Sequence, residues 1–334
     1  GCYGRKTVPS PNLDALAARG IRFENSFCTA PQCSPSRATL YTGRYAHANG
    51  VLGLVHDPFN WRLHEDEVHL AAYLRDAGYQ TAMFGNQHVT GHDDALIKAL
   101  GYEIVKQGHM NTAEITAHAL AFIDQPHERP FFLNVGFFHP HRDDIGQFKR
   151  TAPDESLGVE IPLYLPHTPE ARAEFADLQG AIRVTDEAVG AIWSALEARG
   201  LLENTWFIFT TDHGLAMPRA KCTLYDPGIE TALIMWAGSL GLTGGRVVNE
   251  LISHVDLLPT LLEGLGMPVP QRIQGRSYWS LLSNREYQPR EYIFAEKTYH
   301  TAYEPQRAVR SERYKLILNL EVGIVNVPAD ILHS

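Results

Sequence analysis

The sequence predicts an α/β fold built on a central, mostly parallel sheet flanked by helices, with a small antiparallel unit near its C-terminal end. Three observations predict it. Short apolar runs dense in branched and aromatic residues recur along the chain, amphipathic helical stretches alternate with them, and polar residues bearing histidine follow the runs. With 334 residues, 44% hydrophobic and 20% charged, the chain has ordinary globular composition. It is long enough for one large domain, or for a large and a small one.

In chain order, residues 12–19 carry apolar side chains at three- and four-residue spacing and read as a helix, as do residues 68–77. Residues 80–84 form the first buried strand, 112–123 the next helix and 131–138 the next strand. A long helix over 171–199 follows, then strands over 206–210 and 232–236. Beyond Gly266 the texture changes. Pro268, Pro270 and Gly275 break the pattern, and 292–296 with 314–319 read as antiparallel strands. The expected division is a main domain over 1–285 and part of a C-terminal subdomain over 286–334.

Composition excludes some functions. Lys plus Arg is 29 against 38 Asp plus Glu, a net charge of −9 without basic runs, which argues against nucleic acid as a partner. An anionic ligand must then be held by a few local cations. The cysteines Cys2, Cys28, Cys33 and Cys222 lack metal-finger spacing, so a structural zinc site is not expected, and neither is a disulfide framework. No apolar run reaches membrane-spanning length. The chain opens on Gly1 rather than Met, so nothing follows about a leader.

In open parallel sheets, ligand sites form beyond the C-terminal ends of strands. Here those positions hold Gly85-Asn86-Gln87-His88, His139-Pro140-His141-Arg142 and Asp212-His213-Gly214. The most informative stretch is Cys33-Ser34-Pro35-Ser36-Arg37-Ala38-Thr39-Leu40-Tyr41-Thr42-Gly43-Arg44. It reads as a helix start, with Ser34 as N-cap, Pro35 in the first helical position and Gly43 at the end. Cys33 then sits at the helix mouth, where free N–H groups and the dipole favour an anion. Arg37, about one turn in, can reach back to the same point, and a thiol so placed has a depressed pKa. A lone cysteine before a helix is ordinarily a small buried hydrophobe. The full Cys-x-Pro-Ser-Arg string fixes four residue types and changes that balance.

With Thr42-Gly43-Arg44 behind it, this string resembles the signature of the formylglycine-dependent sulfatases, a branch of the alkaline phosphatase superfamily. Gly78-Tyr79-Gln80-Thr81-Ala82 through His88, Pro130 through His141, Thr210-Thr211-Asp212-His213-Gly214, and Lys221 through Tyr225-Asp226-Pro227-Gly228 are similar to the family's later segments, in order. The resemblance implies an alkaline-phosphatase-like sandwich whose catalytic domain is the 1–285 unit. It implies that Cys33 is converted to formylglycine by a maturation enzyme. It casts Arg37, His88, His141 and Lys221 as catalytic, and Asn86, His56 and Arg142 as substrate-binding. Asp212 becomes a ligand to Ca²⁺, with Mg²⁺ as the alternative, and His213 either ligates beside it or orients the sulfate. His47 reads as structural, and Cys28 and Cys222 as buried thiols. The implied substrate is a sulfated small molecule or glycan. The implied location is periplasmic, secreted or lysosomal. Within the family the nearest look is to the heparan N-sulfatase (sulfamidase) group, through Pro140-His141-Arg142, residues 165–173 and His56-Asp57.

Two departures stand out. The family opens with Asp-Asp-x-Gly on a central strand, whose two carboxylates complete the metal site, and the sequence is read as starting just after it. Asn86 stands where the family has Lys, which removes a cation from the sulfate site. Two rival readings follow: a phosphonate or phosphodiester hydrolase of the same superfamily, and an inactive sulfatase-like binding protein.

Overall fold

The computed structural model describes residues 1–107, 111–142, 148, 151–321 and 323. The predicted strands and helices form close to where the sequence places them. The strands span Gln80–Gly85, Phe131–Gly136, Phe207–Thr210 and Leu233–Trp236, and the helices Pro11–Arg19, Leu70–Asp76, Thr112–Ile123 and Pro169–Ala198. Pro at the first turn and Thr168 as N-cap, its side chain accepting from the Ala171 N–H, start the long helix.

The strands make a three-layer α/β arrangement. Alternate residues point to opposite faces: Phe131, Leu133, Val135, Phe207 and Phe209 join one core cluster, Phe132 and Ile208 the other. The first cluster packs against Leu13, Ile115, Val189 and Ile192 of three helices. The second packs against Leu40, Leu70, Leu74 and Leu258.

Gln80–Gly85 pairs in parallel with Ile104–Lys106 on one side and Phe131–Gly136 on the other. A second sheet is mixed. Leu233–Trp236 runs against both Phe207–Thr210 and Ile21–Phe23, while Ile21–Phe23 runs parallel to Arg246–Val248. The parallel character is therefore concentrated in the first sheet. Among the described residues, Phe131–Gly136 and Phe207–Thr210 each pair on one side only. Both line a single cleft of about 1980 Å³ that also reaches Cys33, Asp212 and His213.

The C-terminal unit is a three-stranded antiparallel sheet of Ile293–Tyr299, Tyr303–Arg310 and Lys315–Asn319. Its outer strands match the two expected from the sequence. The middle strand was not expected, because Glu304, Pro305, Arg307 and Arg310 disguise its period. The sheet packs through Ile293, Ala295 and Ala308 on Phe27, Leu224, Ile229 and Leu251. Arg310 and Lys315 also converge on Asp226 at 3.1 and 2.5 Å, anchoring the sheet to the segment that follows Lys221.

Candidate active site

The helix carrying the signature spans Cys33–Thr42 and starts two residues earlier than the sequence predicts. Gln32, in extended conformation, is the N-cap and its carbonyl accepts the first helical bond from the Ser36 N–H. Cys33 is thus the first helical residue and Ser34 lies inside the turn. Gly43 ends the helix at φ 65°, a left-handed cap that suits glycine. The consequence anticipated for Cys33 still holds: it is buried at the helix mouth, 6% exposed.

The Cys33 Sγ lies 3.3 Å from His213 Nε2. Burial works against ionisation of the thiol, but Lys221 and then His213, together with hydrogen bonds from His141 and His213, hold it well below the ordinary thiol range. His88 also reaches Cys33, and burial lowers the His88 pKa. His88 adopts φ 54°, a conformation rare for a residue with a side chain, in the turn closed by Gln87 Oε1 accepting from the Val89 and Thr90 N–H groups.

Lys221, 1% exposed, places its Nζ 3.0 Å from His141 Nε2. His141 Nδ1 donates to the Arg142 carbonyl at 2.6 Å, so the ring's other nitrogen is the acceptor from the ammonium. This pair lies beside Cys33 although its members are far apart in sequence.

Asp212 is held by the Cys33 helix itself. Arg37 Nε donates to its Oδ2 at 2.8 Å, and the Ser36 hydroxyl donates to its backbone carbonyl. Burial would raise the Asp212 carboxyl, but His213 and Arg37 bring it down to about 2. In return, Asp212 and Cys33 raise the His213 pKa against burial. The centre therefore sets the Cys33 sulfur and the Asp212 carboxylate against the His213 imidazole, the Arg37 guanidinium and the Lys221 amine.

The remaining expected residues divide. Asn86 lines the cleft, and its backbone carbonyl accepts from Arg37 Nη1 at 3.0 Å. His56 stacks on His88, ring centroids 5.4 Å apart and nearly parallel. Arg142 is turned inward. It is 1% exposed, donates through Nε to the Ala216 carbonyl and through Nη2 to Glu174, and stacks on Phe148. This guanidinium braces the His141 loop against the loop after Asp212. His47 binds Glu296 at 2.8 Å, and Cys28 and Cys222 are buried. Two contributors escaped the sequence reading. Ser36 belongs to the signature and holds Asp212 in place. His92 stacks with both His56 and His88, at 6.4 and 6.3 Å, and carries no motif that would single it out.

The donors present also test the implied groups. Four polar side chains, His88, His141, His213 and Lys221, converge on one small side chain at Cys33, which suits a formylglycine bearing oxygens there. Calcium suits the described residues less well. It takes roughly six to eight oxygens, whereas Asp212 offers one free carboxylate oxygen, Oδ1, beside the nitrogen of His213 and the sulfur of Cys33. Asp212 and His213 alone do not make a Ca²⁺ site.

A thiol at a helix mouth, with basic side chains gathered around it from the strand ends of an α/β sheet, makes a site suited to a tetrahedral anion. The chain matches the sulfatase description over residues 1–267 and the N-sulphoglucosamine sulphohydrolase C-terminal description over 213–323, and it belongs to the sulfatase family. Among curated proteins it is 30% identical to human N-sulphoglucosamine sulphohydrolase, covering 96% of this chain and 70% of that protein. It is 26% identical to an ulvan-active sulfatase of Formosa agariphila, covering 96% of this chain and 62% of that one. The fold is shared with the structure of BT4656 in complex with its substrate D-glucosamine-2-N,6-O-disulfate, at TM-score 0.76 and 20% identity over 95% of this chain and 85% of that one. It is also shared with a phosphonate monoester hydrolase from Silicibacter pomeroyi, at TM-score 0.72 and 21% identity over 94% and 82%. Among the described residues, no helix is long and apolar enough to cross a membrane.

Proposed function

We propose that this chain hydrolyses sulfate esters or sulfamates of a sulfated sugar through a formylglycine made from Cys33. The observation that carries the reading is the convergence of His88, His141, His213 and Lys221 on Cys33 at a helix mouth. Formylglycine supplies a hydrated aldehyde, one hydroxyl to attack sulfur and a second that lets sulfate be expelled.

The chain's own residues do the rest. The helix N-terminus, Arg37 and Lys221 offset the charge of the sulfate. His141, with Nδ1 fixed on the Arg142 carbonyl, keeps Nε2 on the Lys221 ammonium, so the pair can place a proton on the departing oxygen or nitrogen. His88 and His213 hold and exchange protons at the nucleophile. Resemblance to an N-sulphoglucosamine sulphohydrolase, and to a structure holding a disulfated glucosamine, supports N- or O-sulfated glucosamine as the first substrates to try.

The test is co-expression with a formylglycine-generating enzyme. Intact mass should fall by the difference between sulfur with two hydrogens and one oxygen, and the converted chain should cleave sulfated glucosamine faster than an aryl phosphodiester. An unmodified Cys33 would sink the mechanism. A faster phosphodiester would move the chain to the phosphonate and phosphodiester hydrolases.

A further inference from the structure

We infer that the turn of the C-terminal hairpin, through His300 and Thr301, forms a wall of the Cys33 cleft that recognises the saccharide ring of the substrate rather than its sulfate. The inference deepens the proposed hydrolase reading and rests on it for the class of ligand. Both residues line the cleft that holds Cys33, although they belong to the antiparallel sheet of the C-terminal unit.

The turn is tied directly to the start of the Cys33 helix. Tyr299 pairs with Tyr303, so His300, Thr301 and Ala302 make the turn, and the His300 N–H donates to the Ala302 carbonyl at 3.3 Å. The register shifts between Lys297 and Tyr299, an irregularity that re-aims the side chains beyond it. The Glu296 N–H donates to the Thr29 carbonyl at 2.8 Å, and Gln32 Nε2 donates to the Tyr299 carbonyl at 2.6 Å. Gln32 is 1% exposed and is the N-cap of the Cys33 helix, so one buried side chain joins the turn to the neighbour of the nucleophile position.

A loop after that helix grips the turn as well. The Tyr299 N–H donates to the Leu52 carbonyl at 3.2 Å, and the Trp61 and Tyr299 rings lie 5.1 Å apart. A Cβ on Gly53 would lie 2.6 Å from Trp61 Nε1 and 2.8 Å from Tyr299 Cβ, so only glycine lets the loop close on the turn. The same loop carries His56, which lines the cleft too. A wall held this firmly loses little freedom when a ligand settles on it.

The chemistry of the wall suits hydroxyl groups. The hairpin's charges are spent on one another: Lys297 pairs with Glu304, and Arg307 with Glu296 at 3.6 Å. Thr301 brings a hydroxyl and His300 an imidazole, and each can donate or accept. Arg37 and Lys221 stand instead beside Cys33. The sulfate is thus met by groups of the main domain. The sugar ring, whose hydroxyls need donors and acceptors without charge, is left to the hairpin.

Kinetics of the converted chain on N-sulfated glucosamine and on a small aryl sulfate test the inference. His300→Ala and Thr301→Ala should each lower kcat/KM on the sugar by about tenfold, chiefly by raising KM, and change it on the aryl sulfate by less than about twofold. Tyr314→Ser, 70% exposed in the turn at the other end of Tyr303–Arg310, should leave both unchanged. Circular dichroism confirms that each variant is folded. Should His300→Ala unfold, Thr301→Ala still decides, because that side chain is only half-buried. Equal losses on the two substrates, or no loss on the sugar, would overturn the assignment. Should the chain turn over neither substrate, the hydrolase reading fails, and the wall is read from calorimetric binding of N-sulfated glucosamine to the unconverted chain. Weaker binding by the two variants then supports it, and equal binding or none overturns it.

Discussion

Arg37 holds Asp212 through a 2.8 Å Nε–Oδ2 bond, and the same guanidinium reaches the Asn86 carbonyl at 3.0 Å. One side chain thus ties the Cys33 helix to the ends of two strands. Removing it leaves Asp212 largely buried beside a carbonyl without its donor. Arg37→Ala should cost about 3 kcal/mol in urea denaturation, and Arg37→Lys should recover only part, because an ammonium cannot span both acceptors. A loss within about 0.5 kcal/mol, the range of an exposed pair, would show that the bridge is dispensable.

Gly136 faces the same carbonyl from the neighbouring strand. A Cβ on Gly136 would lie 1.9 Å from the Asn86 oxygen, so the two strands would have to separate at their site-bearing ends. Gly136→Ala should destabilise by about 3 kcal/mol and reduce turnover with it. Gly91→Ala, whose Cβ would meet only Leu96 at 3.7 Å, serves as the control and should stay within about 0.5 kcal/mol. Thermal melts of both variants settle the comparison.

Lys221 and His141 act as a pair in the proposed reaction. In the converted chain, Lys221→Met should lower kcat by about 10² to 10⁴-fold on sugar sulfates, whose leaving groups need a proton. The loss should be much smaller on an activated aryl sulfate. His141→Gln should behave alike, and the double variant should lose less than the sum of the two in free energy. Equal losses on both substrates would remove the leaving-group role.

Asn86→Lys returns a cation to the cleft beside Arg37. In the converted chain it should raise kcat on an accepted sulfate ester by about tenfold, below the roughly 10²- to 10³-fold effect of a fully placed charge-stabilising donor. Steady-state kinetics on the two proteins provide the check, and an unchanged or lower kcat would count against a sulfate contact at this position.

His69 gives a pH dependence to stability. It is 2% exposed, caps Leu70–Asp76 through Nδ1 accepting from the Ala71 N–H at 3.0 Å, and burial lowers its pKa from 6.5 to about 3. Between those values the unfolded chain binds a proton that the folded chain refuses, so stability falls as pH drops below 6.5. From pH 7 to pH 5 the loss from this group is about 2 kcal/mol. His69→Asn keeps a cap that does not titrate, so its urea midpoint should fall less over that interval. An equal fall would assign the acid sensitivity elsewhere.

Much of the site was legible because its parts are local. Cys33 and Arg37 are four residues apart on one helix, and Asn86, His88, His141, Asp212 and His213 each follow a recognisable apolar strand. Other features were hidden. Arg142 looks like an available cation beside His141, yet it turns inward to Ala216 and Glu174. Ser34 looks like an N-cap, but the extended backbone of Gln32 lets the helix begin two residues sooner. The strand Tyr303–Arg310 has a poor pattern of its own and is held by ladders on both sides.

The sequence by itself determined the family signature at Cys33, the alternation of helix and strand, and the polar residues that follow each strand. These depend on residue type and on periods of two and 3.6, which act over a few neighbours. Only the tertiary structure decided that Leu233–Trp236 runs against both its neighbours, that Lys221 is buried on His141, and that Cys33, His213 and Asp212 present sulfur, nitrogen and oxygen to one point. Strand direction, burial of a charge and the meeting of ligands are set by partners brought together in space. Their free energies depend on distance and desolvation between segments that the sequence keeps far apart.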